Sequence, residues 1–127
     1  MARSILISDS ESAEPDGGGV GFGYNTAVFL AIAEGIRAEF EESASECMKE
    51  CFEELDEMGS EYICLYDVKP RCFREFVAAC ERGLHQLRTK RELAIDREAT
   101  DAEIDGIATL WEELLTTLHM DPRMAAS

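Results

Sequence analysis

The feature that most constrains this chain is an apolar stripe. Phe73, Phe76, Val77, Cys80, Leu84 and Leu87 recur three and four residues apart, which puts them on one face of a helix. A strand could not use the same pattern, because a period of two would scatter these side chains over both faces of a sheet. Pro70 suits the first turn of this helix, where its missing N–H costs nothing. A helix with one apolar face must bury it against other elements, and the rest of the sequence supplies them.

Three further stripes read as helices. Asn25 or Thr26 can cap the first, in which Phe29, Ile32, Ala33, Ile36 and Phe40 share a face. Gly35 interrupts it, at a cost of about 1 kcal/mol relative to alanine. The second starts near Ser43, where Ser43 and Glu46 have capping-box spacing. Met48, Cys51, Phe52, Leu55 and Met58 are its buried stripe, and Gly59 is its stop. Thr100 and Glu103 repeat the capping-box spacing ahead of the last stripe, Ile104, Ile107, Ala108, Trp111, Leu114, Leu115 and Leu118. Asp121-Pro122 ends that helix.

Two segments read as strands. Ile5, Leu6 and Ile7 form a short β-branched run, and Tyr62 to Val68 is aromatic and nearly all apolar, as in a strand covered on both faces. Leu93 and Ile95, in a charged connector over 90–99, fit either a short edge strand or a helical extension. Five of the nine glycines lie between Gly17 and Gly23, which reads as a loop without fixed geometry. The expected fold class is therefore α+β and predominantly helical: about four amphipathic helices with one or two short strands. An all-helical bundle, with Tyr62 to Val68 as a buried connector, is the alternative. The 127 residues suit one domain, with a flexible acidic and glycine-rich segment over 8–24 and a loose tail over 121–127.

Charge restricts function. Twelve basic residues face 27 acidic ones, for a formal net charge of -15. Phosphate backbones and anionic membrane surfaces both demand positive charge, so neither nucleic acid nor membrane is an expected partner. The imbalance is also local. Residues 1–66 hold 15 acids and three bases, whereas eight of the 12 bases lie between Lys69 and Arg97. On the second helix Glu46, Glu50, Glu53 and Glu57 share a face opposite the apolar stripe, with Glu54 and Asp56 beside them. Like charges four apart cost roughly 0.2–0.5 kcal/mol per pair. Such a face either keeps the protein dissolved or imitates a phosphate backbone and docks into a basic cleft.

Catalytic and metal motifs are weak. Cys47 and Cys51 are four apart, and Cys72, Cys80 and His85 lie further on, but no pair has Cys-x-x-Cys spacing. The five cysteines read as reduced packing residues of a cytoplasmic protein. Cys72, early in the third helix beside Arg71 and Arg74, has the best setting for a reactive thiolate. The glycine run does not directly follow a strand and lacks the Gly-Lys-Ser/Thr of a phosphate loop. It does offer Phe22 and Tyr24 as aromatic anchors for a partner. No cofactor, metal or catalytic residue is expected.

These features point to a small acidic binding protein that neutralises a basic partner. A bacterial immunity or antitoxin-like protein blocking a nuclease toxin domain fits them best. Its expected contact residues are Glu46, Glu50, Glu53, Glu54, Glu57, Phe22 and Tyr24. A helical adaptor with an apolar groove is the alternative, and a small thiol enzyme using Cys72 is the third reading. The basic residues of the third helix can complement the acidic second helix within one molecule or across a homodimer.

Overall fold

A computed structural model of the chain describes residues 2–8, 20–59, 62–93 and 99–125. Its order is β1 (Ala2–Ser8), β2 (Val20–Asn25), α1 (Thr26–Arg37), α2 (Ser45–Asp56), β3 (Tyr62–Cys64), α3 (Pro70–Lys90) and α4 (Asp101–His119), with single 3-10 turns at Glu42–Ala44 and Pro122–Met124. The fold is α+β and predominantly helical, as expected, and the all-helical alternative does not hold.

The described residues form three strands rather than one or two. They make one sheet in the order β2-β1-β3, with β1 antiparallel to β2 and parallel to β3. The third strand, β2, lies in the segment expected to be flexible; residues 9–19 of that segment are outside the described ones. Its residues alternate: Tyr24 is buried and Phe22 half-buried, while Gly21 and Gly23 are exposed. That is a period of two, hidden by glycines that lack the side chains to display it. Gly21 is required by close approach, since a Cβ there would lie 2.9 Å from the Ile5 carbonyl oxygen. β3 is shorter than the expected Tyr62–Val68 strand, although the Leu65 N–H still donates to the Leu6 carbonyl at 2.8 Å.

The helices bury the expected stripes. Asn25 caps α1 by accepting from the Val28 N–H at 2.9 Å, and Thr100 caps α4 by accepting from the Glu103 N–H at 3.2 Å. The Ser43–Glu46 box does not form. Residues 42–44 make the 3-10 turn instead, and α2 begins at Ser45 with no side-chain cap. Met58, expected in the buried stripe, lies beyond α2 and is 67% exposed. α1 ends at Arg37, before Phe40, which still packs against Phe52 and Phe76.

Trp111 of α4 lies where α1 and α3 meet it. Its indole N–H donates to the Cys80 carbonyl at 3.1 Å. A Cβ on Gly35 would lie 2.5 Å from the indole ring, and one on Gly83 2.6 Å. The two glycines form the socket for the ring, so Gly35 is a packing residue rather than only a weak point in α1. Leu93 is buried in the same core; Ile95 lies outside the described residues.

Within the segment expected as a tail, Arg123 is bonded to the body of the fold. Arg123 donates to the carbonyls of Ile7 at 2.7 Å and Val68 at 2.9 Å, and also to that of Leu65. Its guanidinium lies 4.0 Å from the Phe73 ring centroid, over the ring, and is paired with Asp121. These backbone carbonyls lie where β1 and the chain after β3 run out of ladder partners, and one planar guanidinium satisfies all three.

Candidate partner-binding face

The candidate face is the solvent side of α2. The buried side of this helix carries Cys47, Cys51 and Phe52, which turns Glu46, Glu53 and Glu57 outward, and all three are exposed. The other expected acids are less free. Glu50 is half-buried and accepts from the Lys69 N–H at 3.3 Å, at the start of α3. Glu54 is also half-buried and engaged within the chain. Asp56 is taken by Arg37 of α1, with two hydrogen bonds of 2.6 and 2.8 Å. Those bonds hold its carboxyl below the usual aspartate pKa. The same guanidinium stacks 4.4 Å over the Phe52 ring.

Three basic residues in and just after α3 are engaged away from this face. Arg88 pairs with Glu112. Arg91, just past the helix, pairs with Asp105 at 2.7 Å and Asp101 at 3.2 Å. Arg82 donates to the Glu39 carbonyl at 2.7 Å. These three cations thus offset α4 and the end of α1, whereas Lys69 and Arg71, at the start of α3, lie beside Glu46 and Glu50 of α2. The sequence could not reveal this division, because it depends on which helices are neighbours. Among the described residues Glu46, Glu53 and Glu57 form no ion pair, although Lys69 and Arg71 share a cavity wall with Glu46, and Glu57 is the C-cap, where the helix dipole makes negative charge unfavourable.

Phe22 and Tyr24 do not join this face. Both project to the helix-covered side of the sheet and stack with centroids 6.2 Å apart. Phe22 stays half-exposed beside Thr109, Glu113 and Thr116 of α4. Tyr24 is only 6% exposed and so presents little surface to a partner. Its hydroxyl has no hydrogen-bond partner among the described residues, and burial pushes its pKa upward.

The cysteines differ most from expectation. Cys47 of α2 and Cys72 of α3 form a disulfide, with Cα atoms 4.9 Å apart. The reading of five reduced cysteines is therefore corrected, and so is a free Cys72 nucleophile. Two residues 25 positions apart meet because α2 and α3 pack side by side, which their spacing could not disclose. Cys51 and Cys80 are free but buried, and burial pushes both thiols up to about 12. Cys64 is free and half-buried. No group of three or more potential metal ligands occurs among the described residues. No helix among them is long and apolar enough to cross a membrane.

No protein-family model matches the sequence, and no curated protein matches it. A structural likeness is found instead. The fold is similar to one chain of the solved complex of a CdiA-CT toxin from Burkholderia pseudomallei E479 with its cognate CdiI immunity protein. The match has a TM-score of 0.73 and 18% sequence identity, and it covers 96% of this chain and 98% of that chain.

Proposed function

We propose that this chain is an immunity protein: a non-enzymatic inhibitor that binds and blocks a basic toxin domain in the cytoplasm of a bacterium. The observation that carries the reading is the end-to-end likeness to a chain of a toxin–immunity complex. Net charge favours the immunity side of such a pair. A chain of net charge -15 is suited to bind a cationic protein and poorly suited to act on nucleic acid itself. The acids of α2 supply the docking surface, with Glu46, Glu53 and Glu57 as its exposed contacts and Glu50 and Glu54 as its inner edge. Negative charge fixed on a rigid helix speeds encounter with a basic cleft and occupies the positions that phosphates would take there.

Capture from the source cells at low salt, repeated near 1 M salt, tests this. The wild-type chain is expected to retain a basic protein that high salt releases. A variant carrying Glu46→Lys, Glu53→Lys and Glu57→Lys is expected to retain none while keeping its helical circular dichroism. Equal capture by both chains would contradict the proposal.

A second reading, the helical adaptor, rests on a cavity of about 390 Å³ between the starts of α1 and α4, lined by Ala27, Val28, Leu93, Ile107 and Leu110 among others. A partner held there would survive high salt, because apolar contacts are not screened.

A further inference from the structure

Cys47 and Cys72 are each the third residue of their helix, in α2 (Ser45–Asp56) and α3 (Pro70–Lys90). The disulfide therefore lies where two helix N-termini converge, and neither terminus has a side-chain cap. Helix N-termini stabilise thiolates, and a disulfide whose reduced form is stabilised is more readily reduced. Lys69 and Arg71 line the same surface cavity of about 410 Å³ and add to this at Cys72; Glu46 and Glu50, also in its wall, oppose it, Glu50 at the start of α3 itself, where it accepts from the Lys69 N–H. Both cysteines line that cavity, and Cys72 is the more exposed of the two, half-buried against 2% exposure for Cys47, which makes it the side from which an external thiolate approaches.

A third thiol stands close by. The Cys51 Sγ lies 3.9 Å from the Cys72 carbonyl oxygen, one turn after Cys47. It is buried and strongly disfavoured as a thiolate, so it does not compete in exchange, and the bond opens and closes between one fixed pair.

We infer that the Cys47–Cys72 disulfide is a reversible redox clasp that fixes the start of α2, the acidic helix, against α3. It is opened by low-molecular-weight thiols of the glutathione class. Opening proceeds in two exchanges. A glutathione thiolate attacks the Cys72 sulfur and expels the Cys47 thiolate, which takes up a proton or stays ionised at the α2 N-terminus. A second glutathione thiolate then attacks the glutathione sulfur of the mixed disulfide, releasing Cys72 and leaving oxidised glutathione. Two protein sulfurs are reduced and two glutathione sulfurs oxidised. Closure is the reverse. Disulfides in a reducing cytoplasm are commonly transient, and the bearing of this clasp on partner binding rests on the function proposed above. The clasp itself does not.

The test uses the purified full chain in glutathione buffers, with mass spectrometry of alkylated thiols and amide hydrogen exchange. The bond is expected to form in oxidised glutathione and to open in a large excess of reduced glutathione. Opening should speed exchange in the first two turns of α2 by roughly tenfold or more, with α4 unchanged. The Cys47→Ser/Cys72→Ser double variant should show the faster pattern in every buffer. A bond that never forms, one that persists in reduced glutathione, or α2 exchange that ignores its state would each overturn the inference. None of these outcomes depends on whether a toxin partner exists.

Discussion

Single residues carry large parts of this fold, and Arg123 carries the most. One side chain satisfies three backbone carbonyls, packs on Phe73 and pairs with Asp121, all with little solvent access. Arg123→Met keeps the stem but orphans these acceptors, so a loss of about 3 kcal/mol is expected in urea unfolding. Asp121 gives the matching pH dependence. Burial disfavours its charge, but the hydrogen bonds from the Arg123 side chain and backbone outweigh this, and its pKa is lowered on folding. A carboxyl with a depressed folded pKa contributes stability above its unfolded pKa and loses it as pH falls through the folded one. Asp121→Asn should therefore be less stable than wild type at neutral pH, and the gap should close below about pH 4. The Trp111 socket is a third case. Gly35→Ala gains helix propensity but drives a methyl into the indole, and a net loss of roughly 1–2 kcal/mol is expected by the same assay. The sequence showed only the propensity half of that balance.

At the scale of elements, the helices are legible because apolar stripes and caps state them directly: α3 follows its six-residue stripe, and Asn25 and Thr100 cap as their chemistry suggests. β2 is illegible because Gly21 and Gly23 occupy every other position and read as loop, although close approach to β1 is what requires Gly21. The tail is illegible because its anchor, Arg123, looks from sequence like any surface cation. Within the candidate face, the exposure of Glu46, Glu53 and Glu57 follows from periodicity, whereas the engagement of Glu50 and Asp56 depends on tertiary neighbours. α2 is also where stability and the proposed function pull apart. The Glu53–Glu57 repulsion and the Glu57 position at the helix C-terminus both oppose folding. Glu53→Gln/Glu57→Gln should raise stability by about 1 kcal/mol at low salt, fading at high salt.

The molecule as a whole is strongly acidic. Among the described residues Arg88 and Arg91 pair with acids of α4, Arg37 with Asp56 of α2 and Arg123 with Asp121, and a net charge of -15 leaves acids in large excess. The field of such an excess favours fast association with a cationic protein and penalises approach to nucleic acid or anionic lipid. Together with a fold like that of one chain in a toxin–immunity complex, this makes inhibition of a basic toxin the central claim. The most direct measurement is growth of cells expressing the captured basic partner, alone, with the wild-type chain, and with the Glu46→Lys/Glu53→Lys/Glu57→Lys variant. The account predicts arrest by the partner alone, restored growth with the wild-type chain, and continued arrest with the variant at equal folded abundance. A partner without toxicity, equal rescue by the variant, or arrest caused by this chain on its own would contradict it.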